Sequence, residues 1–131
     1  MRDFTARDQV EEVYRGLARH YDLAARLFNV LGFGYDRLRV DAIEALELKL
    51  GDTVVDIGCG TGVNFPLIED HIGSEGRIIG VDLTREMLNQ AETRIEAAGW
   101  ENVELMHCPA VDYRFPEDGV DGVLSTFALT L

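Results

Sequence analysis

Asp56 stands just ahead of three glycines at alternate positions, Gly58, Gly60 and Gly62, in the run VVDIGCGTG, and a second acid, Asp82, follows about twenty residues after the last of them. Glycine has no Cβ, so it takes positive φ and lets a ligand approach the backbone closely, and a helix starting after the run offers free N–H groups. The competing reading is a tight strand-to-helix turn with no ligand, which one glycine would suit better than three behind an acid. Spacing narrows the ligand. A dinucleotide fingerprint, G-x-G-x-x-G, counted from Gly58 and Gly60 requires glycine at 63, where Val63 stands. A phosphate-cradling P-loop requires lysine after the glycines, and TGVNF has none.

The two acids point to a different ligand. Asp56 makes a cationic ligand end a better match than a phosphorylated one. Asp82 sits where a carboxylate at the end of a second strand accepts hydrogen bonds from both ribose hydroxyls. An adenosine with a positive tail and no phosphate satisfies both, and S-adenosylmethionine is such a molecule. For Asp82 the competing reading is a capping or solvated acid.

Alternating short β runs and helical segments must position these groups. TVVDIG reads as an apolar strand, NFPLIEDHI as a short helix whose Pro66 fits its first turn, and GRIIGVD as a second strand. TREMLNQAETRIEAAG follows as a helix with Thr84 as cap and Gly99 as stop. VELMHC and GVDGVLSTFAL are further strands, separated by the loop PAVDYRFPED. Strict alternation argues for parallel pairing with helices on both faces, an α/β doubly wound sheet. In such sheets the ligand sits beyond the carboxyl ends of the strands where strand order reverses, and the glycine run falls at one such end. Ahead of the sheet, Val10, Val13, Tyr14, Leu17, Tyr21, Ala24, Phe28 and Leu31 recur at helical steps. A second helix is expected from about Tyr35, with Leu38, Ala42, Ile43 and Leu46 on one face.

The bulk properties remove several classes of function. The 131 residues suit one domain with a real core, and 12 Lys and Arg against 24 Asp and Glu leave a net charge of −12. Such a surface repels phosphate backbones and anionic headgroups, so nucleic acid is not an expected partner. Cys59 and Cys108 show neither metal-ligand spacing nor disulfide density, and no metal is expected. No apolar leader or integral membrane segment is legible, and the expectation is a cytoplasmic, soluble protein.

Taken together, VVDIGCGTG, GVDLTREML and FPEDGVDGVLSTFAL resemble the motifs of class I S-adenosylmethionine-dependent methyltransferases. The leading VYRGLARHYDLAARLFNVLGFGYDRLRVDAI further resembles the ubiquinone/menaquinone-biosynthesis C-methyltransferase branch. The resemblance implies a Rossmann-like sheet of which this chain carries the first four strands, with residues 1–50 as a helical lid and 51–131 as the cofactor-binding core. It places Asp56, Gly58, Gly60 and Thr61 along the methionine end, counts Cys59 and Asn64 among the cofactor-binding residues, and sets Asp82 at the ribose and Leu83 and Met87 against the adenine. Pro109, Ala110 and Val111 take the loop that meets the adenine edge, although Pro109 departs from the family in having no donor and no polar side chain. Ser125 and Thr126 would lie near the sulfonium, or bond the backbone at a strand end. Tyr21 would meet the cofactor carboxylate from the lid, or else pack in the amphipathic stripe.

Methyl transfer from this reagent needs alignment and exclusion of water more than acid–base help, and no residue stands out as a general base. His20, His71 and His107 read as structural. The acceptor is expected to be small or lipid-like: a quinol, a phenol or an amine. The family's sheet has seven strands, so the chain reads either as part of a longer enzyme or as one that forms a homodimer through the open edge of its fourth strand. The rival readings are a nicotinamide-binding oxidoreductase domain and a non-catalytic methyltransferase-like module.

Overall fold

A computed structural model describes residues 35–126. The expected first helix with Tyr14, His20 and Tyr21, and the run from residue 127 onward, lie outside the described residues. Helix α1 spans Tyr35–Ala45, β1 Thr53–Ile57, α2 Phe65–Ile72, β2 Arg77–Asp82, α3 Arg85–Ala98, β3 Val103–His107 and β4 Gly122–Leu124. The four strands are parallel, in the order β3-β2-β1-β4. This is the Rossmann-like arrangement, and its strand order reverses between β1 and β4.

Local chemistry sets the boundaries. Pro66 lies in the first turn of α2, where its missing N–H has no intrahelical acceptor to lose. Gly99 ends α3 in the left-handed conformation at φ 74°, and its N–H donates to the carbonyls of Ile95 and Glu96. Thr84 is the residue before α3 as expected, yet its side chain makes no capping hydrogen bond. Its backbone N–H donates instead to Asp82. The fourth strand is shorter than the run GVDGVLSTFAL implies. Among the described residues Gly122–Leu124 form the ladder with β1; ahead of them Gly119 closes a turn on the Pro116 carbonyl, and Asp121 donates its N–H to the Thr53 carbonyl while its side chain accepts from the Thr53 N–H. Ser125 and Thr126 therefore follow the strand.

Pleating separates two apolar layers. Val54, Ile78 and Leu124 share a buried cluster with Ile43 of α1, Phe65, Ile68 and Ile72 of α2, and Leu88 and Ala91 of α3. Val55, Ile79 and Val81 form the other cluster, packed by Ile57, Cys108, Tyr113 and Val120. Among the described residues the helices thus serve one face, and the connection between β3 and β4 covers the other; helices on both faces are not seen there. The reason is handedness: successive right-handed crossovers that step the same way along a sheet place their helices on the same side. Leu38 also departs from expectation, lying 55% exposed while Ile43 is buried and Ala42 and Leu46 border the core.

Phe65 couples α2 to the sheet. A Cβ added at Gly80 would lie 2.7 Å from the Phe65 ring, 2.9 Å from the Cys59 sulfur and 3.1 Å from Leu105. Gly80→Ala is therefore expected to destabilise the chain by about 1–3 kcal/mol, read as a lower midpoint of chemical denaturation. An unchanged midpoint would show that this contact is looser than the geometry implies.

Candidate functional site

Strand parity brings the acids together. Asp56 is the register partner of Gly80, and Asp82 lies two residues further along β2, so both carboxylates project to the helix-covered face at the carboxyl ends of neighbouring strands. The glycine run turns above them, with φ 70° at Gly58, 57° at Gly60 and 81° at Gly62. At Gly62 a Cβ would also meet the Phe65 ring at 2.7 Å. The Val81 carbonyl accepts from the N–H groups of Gly58 (2.7 Å) and Cys59 (3.0 Å), pinning the loop to β2.

Asp82 joins two loops. Its Oδ2 accepts from the Gly60 N–H and its Oδ1 from the Thr84 N–H, each at 2.9 Å. Burial raises its pKa, opposed by those backbone bonds. Asp82 thus closes a local turn on Thr84, the residue ahead of α3, and each carboxylate oxygen retains acceptor capacity beyond the one bond it makes.

Asp56 is more isolated. It is fully buried, and Oδ2 receives one long bond of 3.4 Å from Asn64 Nδ2 while Oδ1 has no hydrogen-bond partner. Burial, with a smaller contribution from Asp82, pushes its pKa up to about 7 against the lowering effect of Asn64. The same amide nitrogen donates to Thr126 Oγ1 at 3.0 Å, bridging the loop after β1 to the chain beyond β4. Ser125 donates its hydroxyl to the Ile57 carbonyl at 3.1 Å, the backbone-bonded alternative foreseen for it. Asp56, Asn64, Ser125 and Thr126 therefore meet where strand order reverses, the ligand crevice of open α/β sheets.

The remaining candidates spread outward. Cys59 and Thr61 are buried, and burial beside the two carboxylates pushes the Cys59 thiol far up, leaving it unreactive. Met87 is buried beneath the glycine loop, its sulfur 4.0 Å from where a Cβ at Gly60 would stand, and Leu83 is half-buried on the loop after β2. Pro109 leads into a short 3-10 turn, Ala110–Asp112, in which Val111 is 85% exposed.

His107, read from the sequence as structural, has partners that the sequence does not reveal. His107 ends β3 opposite Asp82, and its Nδ1 lies 3.0 Å from the Arg85 guanidinium while Nε2 lies 2.7 Å from the Leu83 carbonyl. Arginine only donates, so Nδ1 accepts and Nε2–H donates to Leu83. His107 thereby holds the loop carrying Asp82 and Leu83. Arg94 of α3 similarly donates to the Thr61 carbonyl at 3.0 Å. The spacing of these residues in the chain carries no signal for either contact; strand register alone places His107 beside Asp82.

Comparison with known proteins puts this geometry in context. The model of the ubiE/COQ5 methyltransferase family matches residues 2–130. The demethylmenaquinone methyltransferase of Geobacillus stearothermophilus is 29% identical over 123 residues, which are 93% of this chain and 51% of that protein. That of Listeria welshimeri is 29% identical over 126 residues, 95% of this chain and 52% of that protein. The chain thus spans about half the length of these relatives. Among solved structures, a SAM dependent methyltransferase from Aquifex aeolicus superposes with TM-score 0.60 at 28% identity, over 66% of this chain and 46% of that one. Another, from Thiobacillus denitrificans and in complex with S-adenosyl-L-homocysteine, gives 0.57 at 29% identity, over 69% and 36%.

The state of Asp56 has a measurable signature. In the folded chain it keeps its proton to about pH 7, whereas the ordinary value is 3.8. Within that window the folded state holds a proton that the unfolded state has released, so this group's stabilisation is complete at low pH and is lost as pH rises. The span corresponds to about 4 kcal/mol. Asp56→Asn is expected to remove most of this slope and to be more stable than the parent chain at pH 8, as followed by urea denaturation across pH. A parent chain whose stability is level from pH 4 to 7 would contradict the burial of this carboxyl.

Proposed function

The chain belongs to the ubiE/COQ5 methyltransferase family, and we propose that it supplies the S-adenosylmethionine site of an enzyme that methylates a quinol-like acceptor. The observation that carries this reading is Asp56: a fully buried carboxyl with one oxygen lacking a donor, beside a second buried acid. Such a floor is costly to ionise without a cation and suits one well. A pyrophosphate would meet both carboxylates and has no lysine or arginine of the glycine loop to answer it.

When bound, S-adenosylmethionine supplies a methyl group already activated by its positive sulfur. The residues of this chain hold and orient it. Asp56 and the glycine loop take the methionine end, with Thr61 and Asn64 beside them. Asp82 accepts from the ribose hydroxyls with the lone pairs its two backbone bonds leave over. Leu83 and Met87 line the adenine, and the turn Ala110–Asp112 meets its edge through backbone groups, since Pro109 has no donor to offer. His107 and Arg85 keep the Leu83 loop in place from behind. Ser125 and Thr126 border the crevice on the β4 side, where the acceptor approaches. Alignment and exclusion of water then supply the rate, for which well-oriented reactions gain roughly 7–11 kcal/mol. The names of the relatives support a quinol nucleus as the acceptor, and residues 1–50 are proposed as the lid.

Calorimetric titration tests the reading. The 131-residue chain is expected to bind S-adenosylmethionine and its demethylated product, and to show no heat with NAD. Asp82→Ala should weaken the cofactor at least about tenfold, the loss of charge-assisted hydrogen bonds. Tight NAD binding without S-adenosylmethionine binding would overturn the assignment. Transfer of a labelled methyl group to a demethylmenaquinol analogue is the matching test of the acceptor.

A further inference from the structure

Asn64 is nearly fully buried, and its amide makes two bonds through one nitrogen: to Asp56 Oδ2 at 3.4 Å and to Thr126 Oγ1 at 3.0 Å. Its own Oδ1 is buried without a hydrogen-bond partner, as is Oδ1 of Asp56. Two buried acceptors on bonded neighbours therefore lack donors, a costly arrangement for a folded chain unless a donor is to be received there. We propose that Asn64 is a positioning residue for the cofactor site: its amide, anchored on Thr126, donates to one oxygen of Asp56 and leaves the other oxygen for a cationic donor.

The chemistry of the two groups explains why an asparagine serves here. An ionised carboxylate only accepts, so the amide must present nitrogen to it; a protonated carboxyl donates and can take the amide oxygen instead. The proton state of Asp56 and the orientation of Asn64 are therefore linked, and the Thr126 hydroxyl, which donates or accepts, tolerates either. Bonding through nitrogen favours the charged carboxylate. The groups that act on Asp56 otherwise disfavour its charge or are neutral. Asp82 at the end of β2 raises its pKa, Cys59 is a neutral thiol in the glycine loop, and β4 presents Leu124 as register partner with Ser125 beyond it. His107 at the end of β3 is engaged by Arg85 and the Leu83 carbonyl, and Arg94 of α3 at the Thr61 carbonyl. The Asn64 amide is thus the group that lowers the Asp56 pKa, from a position already pushed up to about 7.

The inference rests on the cofactor reading for its purpose, and the test separates the two. The titration midpoint of Asp56 is read from its carboxyl carbon by NMR, without cofactor, in the parent chain and in Asn64→Ala, Asn64→Leu and Thr126→Val. Either Asn64 substitution that folds is expected to raise the midpoint by about one pH unit, the worth of a hydrogen bond to a charged group. Thr126→Val should raise it by less, in the same direction. Calorimetry with S-adenosylmethionine should then show affinity about fivefold weaker at pH 7 for the Asn64 variant, with the gap closing by pH 9 as Asp56 ionises in both. An unmoved midpoint overturns the role of Asn64 whether or not the chain binds cofactor. A midpoint that moves in a chain that binds no S-adenosylmethionine keeps the role and removes the cofactor reading instead.

Discussion

Two carboxylates buried at the ends of adjacent parallel strands are the constraint to which the rest of the site answers. Removing a carboxylate from water is tolerated only where hydrogen bonds or counter-charge replace the lost hydration. Asp82 receives two backbone N–H groups, from Gly60 and Thr84, and those bonds tie the glycine loop and the loop after β2 to one side chain. Asp56 receives a single amide from Asn64. The difference divides them: Asp82 is a structural tie with acceptor capacity to spare, while Asp56 keeps one buried oxygen in demand of a donor.

The backbone around them is shaped by that demand. Positive φ at Gly58, Gly60 and Gly62 turns the loop so that N–H groups descend on Val81 and Asp82. The absence of a side chain at Gly62 and Gly80 leaves the space that the Phe65 ring fills. The same ring packs between helix and sheet beneath the loop, so site geometry and core packing are not separable here. His107 and Arg94 add ties from β3 and α3, and each bonds a loop carbonyl rather than a ligand-facing group.

Under the proposed function, the electrostatics favour the reagent over its product. A sulfonium that gives up its methyl group becomes a neutral thioether, and the attraction of the acidic floor for that centre ends with the reaction. A floor containing Asp56, which changes charge near pH 7, ties cofactor affinity to proton concentration in the range where cells operate.

Much of this was legible from residue types and spacing alone. The alternation of apolar runs with capped helical segments specifies a parallel α/β sheet because each connection is long enough for a crossover and too short for anything larger. Three alternating glycines behind an acid, with a second acid closing the next strand, specify a positive-φ loop flanked by two carboxylates, since those properties belong to side-chain chemistry and local conformation. Tertiary structure decided what depends on register and on neighbours distant in the chain. It trimmed β4 to Gly122–Leu124, left Leu38 exposed, put the described helices on one face, and bonded Ser125 back to Ile57. It also set His107 behind Leu83, and Asn64 between Asp56 and Thr126, residues sixty-two positions apart in the latter bond. Periodicity reports which face of an element is apolar; which polar atom ends up within bonding distance of another is fixed only when the strands have chosen their order and register.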